Sequence, residues 1–123
     1  MKKIIVLFMA FLLALVACSP ENTNNANSPL QRDVQEFTIT AKQFAFEPET
    51  IEITKGDKVR LIVTSKDVPH GFSILEYGIS ERLNPGEPVT IEFIADQEGE
   101  FILFCSLYCG SEHGEMKGKM IVR

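Results

Sequence analysis

The sequence predicts an all-β fold, an antiparallel β-sandwich. Short runs along the chain alternate apolar and polar residues, the period-two pattern of strands with one buried face. Turn-forming residues separate these runs about every 8–12 residues, a spacing typical of β-sandwiches. No helical pattern of convincing length and no internal repeat occurs after the N-terminal leader. A chain of 123 residues suits a single domain, and about 90 residues suffice to bury one core.

The first 17 residues are predicted to be a signal peptide rather than part of the fold. Lys2 and Lys3 form a positive region, and an apolar stretch at residues 4–16 follows, too short for a comfortable membrane span. The sequence LVAC at residues 15–18 resembles the bacterial lipobox. This resemblance implies cleavage before Cys18 and a lipid on its thiol, whereas the alternative is an ordinary signal peptide with a chance cysteine.

Residues 18–33 are predicted to form a flexible tether. Asparagine, serine and proline dominate this stretch, and its apolar residues are too sparse to form a core. As a flexible coil it would span about 20 Å. The pattern changes to strands at Val34, so the folded domain is predicted to cover residues 34–123.

The first predicted strand covers residues 36–41. The alternation resumes after an irregularity at residues 42–43, with Phe44 and Phe46 continuing it until Pro48 ends the run. The later predicted strands cover residues 50–54, 58–65, 72–77, 89–95, 101–105 and 119–123.

Two of these later runs contribute to the predicted core. Val59, Leu61 and Val63 alternate with polar residues and should point inward together. The run FILFC at residues 101–105 is almost wholly apolar, which predicts a central strand buried on both faces. Met120, on the last strand, is expected to be a core residue.

The stretch CSLYCGSEHGEM at residues 105–116, here called the metal loop, carries the chemistry. It places two thiols, an imidazole and a thioether in one segment, with the spacing C-x3-C-x3-H-x2-M. Such soft or borderline ligands suit copper better than magnesium or calcium. The other histidine of the chain is His70, in DVPHGF. Asp67 is expected mainly to cap the turn before it, with orientation of the imidazole as the alternative.

Two other interpretations of the metal loop need no metal. Cys105, Cys109, His113 and Met116 would share one face of an α-helix, but the loop also contains glycines, and each glycine in a helix costs about 1 kcal/mol relative to alanine. A disulfide between the two cysteines would suit an oxidising compartment. It would leave the histidine and the methionine without a role, so we favour a metal site.

The metal loop resembles that of the binuclear copper centre called CuA, found in subunit II of cytochrome c oxidases and in nitrous-oxide reductase. DVPHGF resembles the first-histidine segment of the same family, and the two segments occur in the family's order. The resemblance implies a cupredoxin-like Greek-key β-sandwich and two copper ions. The implied ligands are two bridging thiolates, two imidazoles, an axial thioether and an axial backbone carbonyl; in that order they are Cys105 and Cys109, His70 and His113, Met116, and Leu107.

The resulting functional hypothesis is a lipid-anchored, extracytoplasmic electron-transfer protein of a respiratory chain, with cytochrome c or an oxidase core as redox partner. The alternative is an accessory protein that stores or delivers copper during oxidase assembly. A copper enzyme is disfavoured because the implied ligand set leaves no open position for substrate, and no acid–base pair is evident elsewhere. A formal net charge of -5 argues against a nucleic-acid partner.

Two features differ from the usual oxidase subunit II. That subunit commonly has a transmembrane hairpin before its copper domain, whereas a lipid anchor is predicted here. The family also commonly uses a tryptophan near the surface where electrons enter, and this chain contains none.

Overall fold

The computed structural model describes residues 34–123, which form a two-sheet β-sandwich. The strands are β1 (Val34–Lys42), β2 (Ala45–Glu47), β3 (Thr50–Ile53), β4 (Lys58–Ser65), β5 (His70–Ile74), β6 (Ile79–Leu83), β7 (Val89–Ile94), β8 (Gly99–Phe104) and β9 (Lys117–Val122). Two 3₁₀ turns, Leu75–Tyr77 and His113–Glu115, are the helical elements of these residues. The predicted all-β sandwich is confirmed. The predicted signal peptide and tether lie outside the described residues.

The two sheets have the strand orders β2-β1-β4-β7 and β3-β9-β8-β5-β6. The predicted antiparallel pairing holds for five strand pairs, but β1 pairs with β4 and β3 pairs with β9 in parallel. The chain changes sheets between β2 and β3, around Pro48. It therefore returns to the first sheet at β4 in the same direction as β1. Alternating apolar residues reveal which face of a strand is buried but not which neighbour it pairs with.

The core lies between the sheets and contains the predicted inward residues. Val59, Leu61 and Val63 are fully buried on β4, and Met120 is fully buried on β9, as predicted. Phe46 and Phe72 join the sheets through an edge-to-face contact with ring centroids 5.6 Å apart, a preferred geometry for aromatic pairs. A core of this kind provides a stiff support for the loops at its ends.

Three strand predictions need correction. The strand predicted at residues 72–77 ends at Ile74 and passes into the first 3₁₀ turn, and β6 was not predicted at all. FILFC does belong to a central strand of its sheet, but it is not buried on both faces. Ile102 is 56% exposed, because the outer face of this sheet has no layer packed over it within the described residues.

The strand ends bring three loops together at one end of the sandwich. The parallel register of β1 and β4 places Ala41 beside Ser65, so the β1–β2 and β4–β5 connections leave side by side. On the other sheet Phe104 pairs with both Ser73 and Lys117, so the metal loop starts and finishes near β5. Across residues 34–123, none of the helical segments has the length and apolar character to cross a bilayer.

Candidate metal centre

The metal loop connects β8 to β9 and is closed at its base by the backbone. Phe104 and Lys117 are partners in the sheet, and the Cys105 N–H donates to the carbonyl of Met116 over 3.1 Å. The segment between them is irregular apart from the 3₁₀ turn at His113–Glu115. This closure directs the side chains of Cys105 and Met116 to the same side of the loop.

The sulfur and nitrogen donors of the loop converge on one small volume. The Sγ atoms of Cys105 and Cys109 lie 3.6 Å apart, and the Cys109 sulfur lies 3.6 Å from Nδ1 of His113 and 3.8 Å from Sδ of Met116. The carbonyl oxygen of Leu107 lies 3.1 Å from the Cys105 sulfur. All five donors that the sequence placed on the loop therefore meet in the folded protein.

His70 completes the group from the start of β5, 35 residues from Cys105 in the chain. Its Nδ1 lies 3.7 Å from the Cys105 sulfur, and the imidazole is fully buried. The donor atoms of His70, Cys105 and Cys109 all lie within 4.8 Å of one another. Each thiol thus has an imidazole of its own: His70 beside Cys105 and His113 beside Cys109.

The two interpretations without a metal do not fit this geometry. Both cysteines are free thiols, with sulfur atoms 3.6 Å apart rather than joined. Residues 105–116 form no α-helix, so a helical stripe is excluded as well. The site is instead a cluster of unjoined soft donors, which is the donor set that copper prefers.

Asp67 orients His70. Its Oδ1 lies 2.7 Å from Nε2 of His70, and the same oxygen accepts the N–H of Val68 over 2.7 Å. The expectation that Asp67 mainly caps its turn is therefore too narrow. Because an ionised carboxylate only accepts hydrogen bonds, Nε2 of a neutral His70 carries the proton, and Nδ1 presents its lone pair to the cluster.

Burial and hydrogen bonding set the ionisation of the cluster. Burial opposes ionisation of Asp67, but hydrogen bonds from Gln43, His70 and Val68 outweigh it and lower the pKa of that carboxyl. Burial, together with the neighbouring Cys105, raises the pKa of the Cys109 thiol to about 11. The thiol is therefore protonated at neutral pH in the metal-free protein. Because the thiolate is the form that binds metal, metal binding at Cys109 must release this proton.

The sulfur donors are buried, whereas several neighbouring side chains of the metal loop are exposed to solvent. Cys105, Cys109 and Met116 are 4%, 7% and 1% exposed, whereas Tyr108 between the two cysteines is 76% exposed. The Tyr108 ring lies against His113, with centroids 5.8 Å apart. The sulfur donors are shielded from water, while the His113 side of the cluster lies close to the surface. Glu112 and Glu115 are exposed, consistent with the role of solvated charges.

Gln43 is a site residue that the sequence did not reveal. Its side-chain amide donates to the carbonyl of Cys109, and its backbone N–H donates to Asp67. These partners are 66 and 24 residues away in the chain, so no local motif indicates them. The irregularity predicted at residues 42–43 was the one available signal, and it marks the turn between β1 and β2.

Comparison with known proteins identifies the family. Residues 4–122 match the cupredoxin-like domain. The chain belongs to the cupredoxin-like family. This cupredoxin-like chain is 32% identical over 100 residues to cytochrome c oxidase subunit 2 of Thermus thermophilus, a match that covers 80% of this chain and 74% of that protein.

A second relative is nitrous-oxide reductase of Cupriavidus necator, 38% identical over 88 residues. That match covers 68% of this chain but only 14% of the reductase. Among solved structures, a chain of a heme-copper terminal oxidase dimer superposes with a TM-score of 0.67 and 27% identity, covering 72% of this chain and 65% of that one. The predicted resemblance to the domains of oxidase subunit II and nitrous-oxide reductase is confirmed. These relatives and the cluster of His70, Cys105 and Cys109 support copper as the metal.

Proposed function

We propose that this cupredoxin-like protein carries electrons through a binuclear copper centre of the CuA type. The observation that carries the proposal is the pairing of donors: two unjoined thiols 3.6 Å apart, each with its own imidazole nitrogen within 3.7 Å. A mononuclear blue copper site uses one thiolate and two histidines. The second cysteine, with a histidine of its own, favours two ions.

Each donor has a proposed role. The thiolates of Cys105 and Cys109 and the imidazoles of His70 and His113 would hold the two copper ions. The thioether of Met116, 3.8 Å from Cys109 Sγ, and the carbonyl of Leu107, 3.1 Å from Cys105 Sγ, would be weaker additional donors.

When bound, a pair of copper ions would supply a site that gains and loses one electron shared between them. The contribution of the protein is to keep the donors in nearly the same positions in both redox states. His70 is held by its hydrogen bond with Asp67, and the base of the metal loop is held by the backbone hydrogen bond from Cys105 to Met116. Buried sulfur donors keep water from the ions, so little reorganisation opposes electron transfer.

The proposed location is the extracytoplasmic face of a bacterial membrane. Residues 1–17 would direct export, Cys18 would carry the lipid and residues 18–33 would connect it to the domain at residues 34–123. The proposed redox partner is a cytochrome c or an oxidase core, on the strength of the relation to cytochrome c oxidase subunit 2.

Copper loading of the purified protein tests the proposal. We expect two copper ions per chain by metal analysis, a purple colour, and an EPR signal of one electron shared between both ions. Both ions should remain bound through repeated oxidation and reduction. One blue copper per chain would contradict the binuclear centre, and ready transfer of the copper to a metal-free partner would instead favour the accessory role.

Two variants serve as internal controls for that experiment. Cys109→Ser should abolish the spectrum, because it removes a bridging thiolate. Leu107→Gln should leave the spectrum nearly unchanged, because Leu107 is proposed to contribute only its backbone carbonyl. Equal damage from both changes would contradict the proposed ligand roles.

A further inference from the structure

We propose that Gln43 is a positioning residue that ties the two halves of the copper centre together before any metal binds. The inference rests on the proposed function, since the centre it positions is the proposed copper site. Gln43 lies in the turn between β1 and β2, outside the metal loop and outside the segment that carries His70. It is the one residue, among those that the structure describes, hydrogen-bonded to both segments through different atoms.

The side chain of Gln43 holds the metal loop. Its Nε2 donates to the carbonyl of Cys109 over 2.5 Å, and this contact is partly buried. The bond fixes the backbone at the residue whose sulfur lies nearest to His113 and Met116. It therefore acts on the half of the centre that His70 does not touch.

Gly110 allows this close approach. Its φ of +143° lies in a region that favours glycine. A Cβ at this position would lie 2.8 Å from the Phe44 ring and 2.9 Å from Nε2 of Gln43. The metal loop therefore passes so close to Gln43 that any residue larger than glycine at position 110 would disturb their contact.

The backbone of Gln43 holds the His70 segment. Its N–H donates to Oδ2 of Asp67 over 2.7 Å, and Oδ1 of Asp67 lies 2.7 Å from Nε2 of His70. Nδ1 of that imidazole then faces the Cys105 sulfur at 3.7 Å. A continuous chain of hydrogen bonds thus runs from Cys109 through Gln43 and Asp67 to His70.

This chain of bonds provides a physical link that does not require copper. His70 lies at the start of β5 and the cysteines lie in the metal loop, so without support these two segments could separate when the metal is absent. Outer groups that hold metal ligands commonly change metal affinity by about 10–100-fold when they are removed. We therefore expect Gln43 to keep the donors in place in the metal-free protein and to raise the affinity of the site for copper.

The test uses two variants and one matched control. Gln43→Leu removes the amide donor, and Gln43→Glu keeps the shape of the side chain but replaces the donor with an acceptor. Both keep the backbone N–H that binds Asp67. Gln97→Leu is the control, because Gln97 is an exposed glutamine whose hydrogen bonds with Tyr77 use backbone atoms only.

The first measurement is made on the reduced, metal-free protein. Alkylation of each cysteine by N-ethylmaleimide is followed over time by peptide mass spectrometry, which separates Cys105 and Cys109 from Cys18. We expect Cys109 to react about tenfold faster in both Gln43 variants than in the wild type. This ratio corresponds to the net free energy that one hydrogen bond contributes. The control should react at the wild-type rate.

The second measurement follows copper in the loaded proteins. Release to a chelator should be about 10–100-fold faster in the Gln43 variants than in the control, and their visible spectrum should shift. Alkylation rates, release and spectra equal to those of the control would overturn the inference. So would loss of folding in both metal-free variants, because Gln43 would then support the fold rather than the site.

The two measurements also separate this inference from the proposed function. A wild-type protein that takes up no copper would refute the copper centre, whereas the alkylation rates would still show whether Gln43 holds the Cys109 segment. A copper-loaded wild type combined with Gln43 variants that behave like the control would overturn the role of Gln43 alone.

Discussion

Met116 is buried at the base of the metal loop and presents a neutral sulfur to the cluster. Its Sδ lies 3.8 Å from the Cys109 sulfur, and its backbone carbonyl accepts the Cys105 N–H. A thioether is a weak donor, and axial ligands of this kind tune the copper potential. The Met116 side chain is therefore expected to adjust the centre, while its backbone helps to close the loop.

Met116→Leu should raise the reduction potential and leave the protein folded and loaded with copper. The change removes the sulfur at nearly constant volume, so it should cost less than about 1.5 kcal/mol of stability. Loss of a donor destabilises the oxidised state more than the reduced one, which raises the potential. Voltammetry on the wild type and the variant measures this shift.

Met120→Leu is the matched control for this substitution. Met120 is fully buried on β9 as part of the hydrophobic core and is not among the donors of the cluster. Its replacement should change the potential little while costing similar stability. A potential that does not move in Met116→Leu would show that Met116 is not a ligand.

Four candidate donors could be predicted from the sequence because their side chains lie within twelve consecutive residues and are of types that suit copper. The Leu107 carbonyl was added only because the metal loop resembles a known one. His70 was likewise added as a candidate because its segment resembles a known one. The groups that hold these donors could not be predicted. The contact from Gln43 to Cys109 joins residues 66 positions apart, so no local pattern reveals it. The Asp67 carboxylate also accepts the N–H of Val68, so a turn cap alone would explain this residue and its hydrogen bond with His70 could not be inferred.

At the scale of elements, the metal loop depends on its close packing against β5. A Cβ at Gly71 would lie 2.7 Å from the backbone nitrogen of Leu107 and would also meet the hydroxyl of Ser106. Ser106 is further tied to β5 by a 2.9 Å hydrogen bond with Ser73. The first half of the loop therefore lies directly on the strand that begins with His70.

Gly71→Ala should displace the metal loop and destabilise the protein. Overpacking of this kind typically costs about 1–3 kcal/mol, and here the atom that must move is backbone next to the proposed carbonyl ligand. We expect a lower denaturation midpoint in the metal-free protein and fewer copper ions bound per chain. Chemical denaturation and metal analysis measure the two effects.

Gly114→Ala is the control within the same loop. A Cβ at Gly114 has no neighbouring atom within 4 Å. Its replacement should change stability by no more than about 0.5 kcal/mol, as for most surface substitutions. Equal losses at Gly71 and Gly114 would mean that the loop tolerates no added methyl group anywhere, and that contact with β5 is not the cause.

Element prediction succeeded where one face of a strand is buried and failed where tertiary context decides. The alternation on β4 correctly identified its inward residues. The strand β6, with the sequence ISERL, has three exposed residues between two buried ones, so its pattern does not mark it as a strand. The parallel pairs and the exposure of Ile102 depend on which strands become neighbours, and local sequence does not contain that information.

At the scale of the whole molecule, the metal centre and the start of the domain lie at opposite ends of β1. Val34 begins this strand beside Lys58, and Ala41 lies near its other end beside Ser65, next to the loops of the site. Nine residues of strand correspond to about 26 Å between the first and last Cα atoms. An anchor joined to the chain before Val34 would therefore attach far from the copper ligands.

This separation leads to a prediction about Cys18, the proposed site of the lipid. Cys18→Ala should remove the lipid, because it deletes the thiol to which the lipid is proposed to attach, and should lower the share of protein in the membrane fraction. Its copper spectrum should equal that of the wild type, because the centre lies at the far end of β1. Ser28→Ala, in the proposed tether, is the control and should change neither property. Mass spectrometry of the N-terminal peptide, together with membrane fractionation, measures the outcome.

Two results would contradict this prediction. A lipid that is still attached in Cys18→Ala would show that the LVAC segment is not the attachment site. An altered copper spectrum would show that the two ends of the molecule are not independent.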